Sequence, residues 1–235
     1  MSEMEPTGQI APTAAEPRLR QTGRLVAWCS LVGTLAAISY AGRIAGSATP
    51  DDVLYLWSTF AAALIQYGIM LTLVLAIAHG LDRRLLALRV PEDRWRAVRR
   101  AVLALVVIVA ASAILSQFLD AGDEQGLVPK GWDSSRALPF LANAAVVTLV
   151  APFVEELLFR GLGYGLLIQF VLPVPAILIT GFSFGLAHGL VLGLPVLSIF
   201  GITLGWLRSQ TGSVYPGMII HCLFNAAALL AAVAL

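Results

Sequence analysis

In the stretch 137–160, ALPFLANAAVVTLVAPFVEELLFR, an apolar run leads directly into a segment with three charged side chains. A membrane-spanning helix needs about 20 mainly apolar residues to cross a hydrocarbon core of about 30 Å. A charged side chain at the bilayer centre costs about 2.5–3.5 kcal/mol on insertion scales. The stretch therefore predicts a spanning helix whose charged side chains face the protein interior or a cavity.

The composition of the whole chain also indicates a membrane protein. Of 235 residues, 58% are hydrophobic and 12% are charged, against about 25% charged in a typical soluble domain. The mean hydropathy is +0.84. A net charge of +1 gives no basic footprint for DNA or RNA. These values argue against an ordinary soluble enzyme, a disordered regulator and a nucleic-acid-binding protein.

Seven apolar windows are long enough to be membrane spans. Their runs are unbroken instead of alternating, which favours helices over the strands of a barrel. The windows are 25–43, 53–81, 101–119, 137–159, 174–190, 192–207 and 214–235. A further apolar stretch, 161–172, is too short to cross alone and either continues the fourth helix or is re-entrant. We predict an all-α polytopic membrane protein with about seven transmembrane helices, or eight if 161–172 is separate.

Basic residues predict the orientation of the chain. Segment 83–100, between the second and third windows, contains seven arginines, and such loops lie on the cytoplasmic side. Residues 1–24 are polar and are expected to form a disordered cytoplasmic tail. Residues 25–136 then hold the N-terminal helices and loops. The sequence predicts a multi-pass protein of the cell membrane with a cytoplasmic N-terminus.

The charges of the last third of the chain form one cluster. Residues 137–235 hold four of the 29 charged side chains, and three of them are Glu155, Glu156 and Arg160. Glu156 and Arg160 are four residues apart and can pair on one face of a helix, while Glu155 points about 100° away. A buried ion pair that fixes the helix register is the alternative interpretation, but it leaves the second glutamate unexplained.

Two further polar pairs at helical spacing follow in apolar surroundings. Phe184 and His188 are four residues apart, as are His221 and Asn225. A single intramembrane histidine more often makes a helix–helix contact than catalyses a reaction. Together with the charged cluster, however, these side chains suit hydrolysis by an activated water molecule. G-x-S-x-G occurs once, at 181–185, but it lies inside the apolar window 174–190 and not at a strand-to-helix turn, so it does not support a serine hydrolase. H-E-x-x-H does not occur, so a zincin is not supported either.

The order of these motifs resembles one family. E-E-x-x-x-R at 155–160, F-x-x-x-H at 184–188 and H-x-x-x-N at 221–225 are similar to the three motifs of the CAAX-processing and bacteriocin-processing (CPBP, or Abi) intramembrane proteases. That family includes the type II CAAX prenyl endopeptidases. The resemblance covers 138–232, so 137–235 is expected to be the catalytic helical core.

The resemblance implies a role for each motif residue. Glu155 would activate water as the general base, His188 and His221 would position it, and Asn225 would stabilise the oxyanion. Glu156 and Arg160 would order the site. Phe159 and Phe184 are candidate substrate-binding residues. We expect one cavity to be lined by Glu155, His188, His221 and Asn225.

The resemblance leaves the cofactor and the substrate open to alternatives. A metal-free glutamate mechanism is the favoured interpretation, with zinc held by Glu155, His188 and His221 as the alternative. The expected partners are the lipid bilayer and a membrane-embedded or lipidated peptide substrate, with no nucleic acid. Two other functions compete with proteolysis: a non-proteolytic partner-binding protein that confers immunity to a peptide toxin, and a proton-coupled transporter.

Overall fold

The computed structural model describes residues 18–46, 52–82, 84–119, 124 and 131–234, and this part of the chain is helical and contains no strand. Seven helices of 15 residues or more carry the fold. They are α1 (Arg18–Ile44), α2 (Trp57–Ala78), α3 (Arg94–Leu115), α4 (Ser134–Leu167), α5 (Pro173–Ala187), α6 (Leu194–Thr211) and α7 (Tyr215–Ala234). The predicted all-α fold is confirmed.

Five of the helices, α1, α2, α3, α4 and α7, are long and apolar enough to cross a membrane, counted over the described residues. Helix α5 has 15 residues and α6 has 18. At 1.5 Å per residue, α5 extends only about 22 Å, which is less than the hydrocarbon core. Helix α4 continues to Leu167, so the first part of 161–172 extends the fourth helix, as one of the two interpretations predicted.

The first helix begins earlier than the sequence predicted. Residues 18–24, expected within the disordered tail, belong to α1, and residues 1–17 lie outside the described part of the chain. The guanidinium of Arg24 donates hydrogen bonds to the carbonyls of Ile77 and His79 at the end of α2. These two contacts hold the first turns of α1 against α2 and explain why the helix extends beyond its apolar window.

Helix α4 contains two wide π-helical segments, Val146–Val150 and Leu157–Gly163. Pro152 has no N–H to donate to the preceding turn, and a wider turn accommodates such a missing bond. The two segments flank the short α-helical stretch Ala151–Glu156. They therefore set the direction in which both glutamates leave the helix.

Helices α5 and α6 touch along their backbones at two glycines. A Cβ atom added to Gly181 would lie 2.5 Å from the backbone N of Ile202, and one added to Gly201 would lie 2.5 Å from the carbonyl oxygen of Gly181. Small residues allow this close approach of membrane helices. The packing brings the Gly201 carbonyl next to α4, where it meets a buried arginine.

Candidate active site

The two adjacent glutamates of α4 lie in different environments. Glu156 is fully buried, and its Oε1 lies 2.9 Å from Nη1 of Arg160. Glu155 is 8% exposed and reaches the wall of a cavity. The spacing argument predicted this division, because only Glu156 shares a helix face with Arg160.

Arg160 is fully buried and is held by three helices. Its Nη2 donates to the carbonyl of Gly201 on α6 at 3.1 Å, and its guanidinium carbon lies 4.6 Å from the ring centroid of Phe184 on α5. A guanidinium above an aromatic face is attracted by the ring quadrupole. Together with Glu156, these contacts compensate for moving a cation out of water.

His221 of α7 lies between the two carboxylates. Its Nδ1 is 3.2 Å from Glu156 Oε1, and its Nε2 is 3.6 Å from Glu155 Oε2. The rings of Phe184 and Phe200 enclose the imidazole edge-on, with centroid distances of 5.6 and 4.9 Å. Because a carboxylate only accepts hydrogen bonds, His221 donates to Glu156 through Nδ1, while its Nε2 faces Glu155.

The cavity beside Glu155 has a volume of about 200 Å³ and is formed by α1, α2, α4 and the end of α5. The hydroxyl of Tyr67 on α2 donates to Glu155 Oε1 at 2.8 Å. The lining residues are Leu35, Ser39, Gln66, Tyr67, Met70, Glu155, Phe159, Ala187 and His188. One carboxylate oxygen is therefore fixed by Tyr67, while Oε2 is the one nearest His221.

His188 ends α5 and shares the cavity with Glu155. Its Nδ1 lies 2.7 Å from the carbonyl oxygen of Phe184, and its ring packs on that phenyl ring at 4.6 Å. A carbonyl oxygen only accepts, so Nδ1 carries the proton and Nε2 is left as an acceptor. The side chain is thereby oriented by the residue one turn before it.

Asn225 lies one turn after His221 on α7, and its Nδ2 donates to the carbonyl of Val147 at 2.9 Å. That carbonyl belongs to the first wide turn of α4. Within the described part of the chain, neither Asn225 nor His221 lines the cavity that Glu155 and His188 share. Of the four residues expected to line one cavity, Glu155 and His188 therefore line it, whereas His221 and Asn225 do not.

The two phenylalanines predicted to contact substrate are placed differently. Both are 1% exposed, but Phe159 lines the cavity while Phe184 is not among the lining residues that the structure describes. Phe184 instead packs between Arg160, His188 and His221. It is the central aromatic contact of the site.

Sequence reasoning missed Tyr67. Its signal was weak: Gln66 and Tyr67 are adjacent polar residues within the otherwise apolar α2. Nothing in local spacing connects Tyr67 with Glu155, because 88 residues separate them.

The zinc alternative requires three ligands that converge on one point. Among the described residues, no group of three His, Cys, Asp or Glu side chains is placed to hold a metal ion. Glu156 Oε1, moreover, is already engaged by Arg160 and His221. Whether the reaction uses a metal ion stays a prediction that a chelator can test.

The fold and this cluster define a class: a multi-pass helical membrane protein with glutamates, histidines and an arginine gathered inside its helix bundle. Residues 137–227 match the family model described as Type II CAAX prenyl endopeptidase Rce1-like. The match confirms the resemblance that the three motifs carry and supports an intramembrane CAAX protease-type function. No curated protein and no solved structure matches the chain.

Proposed function

We propose that the protein is an intramembrane endopeptidase that hydrolyses a peptide bond of a membrane-associated or lipidated substrate with water activated by Glu155. The observation that carries this proposal is the contrast between the two glutamates. Glu156 is neutralised by Arg160 in the packed interior, whereas Glu155 reaches the cavity with one oxygen held by Tyr67. A carboxylate placed in this way is suited to general-base work.

The reaction begins with a water molecule that donates hydrogen bonds to two acceptors. Glu155 Oε2 is one, and Nε2 of His188 or of His221 is the other, because each histidine has its Nδ1 engaged. Glu155 Oε2 and His221 Nε2 lie 3.6 Å apart, which is too long for a direct hydrogen bond, and a water molecule beside both atoms would be near each of them. Water held by two acceptors is oriented with a lone pair free for attack.

In the chemical step, Glu155 Oε2 takes one proton from the water while the water oxygen bonds to the peptide carbonyl carbon. The carbonyl oxygen becomes an oxyanion as its double bond opens. When the tetrahedral intermediate collapses, the C–N bond breaks and Glu155 returns the proton to the leaving amine. Glutamate is regenerated, and a carboxylic acid and an amine are released.

The remaining motif residues support this step. Glu156 accepts from His221 and is in turn held by Arg160, so this pair fixes the imidazole. Asn225 is the proposed oxyanion donor: one amide hydrogen is given to Val147, and a primary amide has a second one. We assign Phe159 to substrate contact and Phe184 to support of the site, since only the former lines the cavity.

Orientation is part of the proposal. The basic segment after α2, with exposed Arg84, Arg89, Arg94, Arg96 and Arg99, supports a cytoplasmic position for that side of the bundle and for the N-terminus. The protein would then be a multi-pass protein of the cell membrane. This orientation is tested by introducing single cysteines at Arg20 and at Arg84. They are labelled with a membrane-impermeant thiol reagent before and after lysis.

Cleavage of a lipid-embedded peptide library, with mass spectrometry of the fragments, tests the proposed function. Wild type and Glu92→Gln should give the same fragments, because Glu92 is exposed at the start of α3, and Glu155→Gln should give none. Fragments from Glu155→Gln at the wild-type rate would overturn the glutamate mechanism. A wild-type protein that cleaves no member of the library would favour the partner-binding alternative, and loss of cleavage on adding a chelator would favour the metal alternative.

A further inference from the structure

A second, larger cavity shares no lining residue with the cavity beside Glu155. It is an open groove of about 450 Å³ between the first half of α3 and the first turns of α7. This volume falls in the range of about 300–1,000 Å³ that is usual for ligand sites. Apart from Arg94 and Tyr215, its lining side chains are aliphatic or proline, such as Val98 and Ile219.

A polar recess of about 250 Å³ adjoins this groove, and the two share Pro91 and Ala97 in their walls. Three arginines line the recess: Arg89, Arg96 and Arg100. The acidic side chains there are Glu92 and Asp93. With Arg94 of the groove, four cationic groups face two anionic ones, so the combined site carries an excess of positive charge.

The three arginines of the recess are held in place by the protein, but the contacts that hold them use only some of their N–H donors. Their anchoring contacts run from Arg89 Nε to Gly212 O at 2.9 Å, from Arg100 Nη1 to Gln210 O, and from Arg96 Nε to Asp93 Oδ2 at 3.3 Å. A guanidinium has five N–H donors in a fixed fork, and each of these contacts engages one nitrogen. The remaining donors suit the oxygens of a phosphate group.

The depth of the site is marked by Trp95. This tryptophan is 79% exposed and follows Arg94, where α3 begins. Tryptophan side chains exposed on membrane helices collect at the headgroup level. The recess therefore lies at headgroup depth, and the groove runs from it into the hydrocarbon layer along α3 and α7.

We propose that this groove and recess bind one anionic phospholipid, with an acyl chain in the groove and the headgroup phosphate at the arginines. An apolar channel that leads into a cationic recess matches the chemistry of such a lipid, since basic pockets between membrane helices bind acidic headgroups. Ile219 and Ile220 of the groove precede His221 directly, so the lipid braces the helix that carries this site residue. The proposal is independent of proteolysis.

Native mass spectrometry of the full-length protein in detergent tests the proposal with two lipids of identical chains, phosphatidylglycerol and phosphatidylcholine. Wild type should retain one phosphatidylglycerol molecule in preference to phosphatidylcholine. Arg94→Gln and Arg96→Gln should each weaken that binding about fivefold, as expected for loss of one charge near a headgroup. Arg99→Gln is the matched control, because Arg99 is exposed on the same helix and lines neither cavity.

Two further variants test whether the groove holds the acyl chain. Ala101→Phe fills the groove, and Ala110→Phe is a matched change on an exposed part of α3 outside it. Ala101→Phe should reduce phosphatidylglycerol binding, and Ala110→Phe should not. Inorganic phosphate at equal concentration should not displace the lipid, because it lacks the chain. Equal retention of both lipids, equal loss in Arg94→Gln and Arg99→Gln, or displacement by phosphate would overturn the proposal.

Discussion

Tyr67 of α2 donates its hydroxyl hydrogen to Glu155 Oε1 of α4 at 2.8 Å, joining residues 88 positions apart in the chain. The bond fixes one oxygen of the carboxylate and leaves the other near His221. Without this hydrogen bond, the Glu155 carboxylate can still accept a proton, but it samples more orientations. Misplacement by about 1 Å can cost about a hundredfold in rate.

Replacement of Tyr67 by phenylalanine should therefore lower kcat by about ten- to a hundredfold and leave KM nearly unchanged, because Tyr67 acts through Glu155. Steady-state cleavage of a substrate found in the peptide library measures both constants. Tyr40→Phe is the matched control, since it removes a hydroxyl that donates to the Leu190 carbonyl at 3.0 Å. Equal kcat values for the two variants would show that Tyr67 has no positioning role.

The buried pair of Glu156 and Arg160 should be the most sensitive electrostatic contact of the bundle. Arg160→Met removes the cation beside Glu156 and leaves that carboxylate held by the hydrogen bond from His221. Breaking a buried ion pair in this way costs about 3–5 kcal/mol of unfolding free energy. The double variant Glu156→Gln with Arg160→Met should be more stable than Arg160→Met alone, because the uncompensated charge is gone. Chemical denaturation in detergent measures the unfolding free energy of wild type and of both variants.

An exposed ion pair provides the control for this comparison. Arg96 Nε lies 3.3 Å from Asp93 Oδ2, and the two side chains are 60% and 49% exposed. Arg96→Met should cost about 1 kcal/mol or less, as exposed pairs do. If Arg160→Met were no more destabilising than Arg96→Met, burial would not be what makes Glu156 depend on its partner.

Local spacing predicted the parts of the molecule that depend on one helix. The Glu156–Arg160 pair followed from an i, i+4 interval, and the helices followed from long apolar windows. The motif order also identified the segment that the family model matches. Each of these features is set by neighbours within a few turns of the same helix or by the order of motifs along the chain.

Contacts between helices were not predictable in the same way. Tyr67 meets Glu155 only because α2 packs on α4, and His221 bridges two carboxylates only because α7 packs behind them. The wide turns Val146–Val150 and Leu157–Gly163 on either side of the glutamates were also not predicted. Residue spacing along the chain does not determine how the helices pack against one another. The residues that line the cavity therefore differ from the four that were expected to line it.

Asp133, just before α4, should show a measurable pH dependence. Hydrogen bonds from Ser135, followed by those from Arg136, lower the pKa of this carboxyl from its ordinary 3.8 to about 2. A group with a depressed folded-state pKa stabilises the fold above its unfolded value and loses that contribution as the pH falls through the folded value. The stabilisation is therefore complete above about pH 4 and declines towards pH 2.

Carbon-13 NMR of the labelled Asp133 carboxyl in detergent micelles measures this pKa directly. Ser135→Ala should raise it, because the shortest contact that Ser135 makes to the carboxylate, 2.6 Å from its hydroxyl, is removed. Ser209→Ala is a suitable control, since that hydroxyl donates to Trp206 far from Asp133 in the chain. A wild-type pKa at or above 3.8 would contradict the hydrogen-bonded arrangement.

Asn225 offers the sharpest separation of catalysis from stability. If its free amide hydrogen stabilises the oxyanion, Asn225→Ala should lower kcat by about a hundred- to a thousandfold. Its stability cost should stay near 1 kcal/mol, because the variant removes only one hydrogen bond in the structure, the one to Val147. Cleavage rates and denaturation of the same preparations measure both effects.

The matched control is Asn143→Ala in α4. Asn143 is 2% exposed, and its Nδ2, which carries two hydrogens, lies within hydrogen-bond distance of three carbonyl oxygens, those of Leu54, Leu56 and Pro139. Its loss should cost more stability, about 1–3 kcal/mol for the carbonyls left unpaired, while the folded fraction keeps the wild-type kcat. Wild-type kcat in Asn225→Ala would instead assign that asparagine to the packing of α7 on α4, and another donor would have to stabilise the oxyanion.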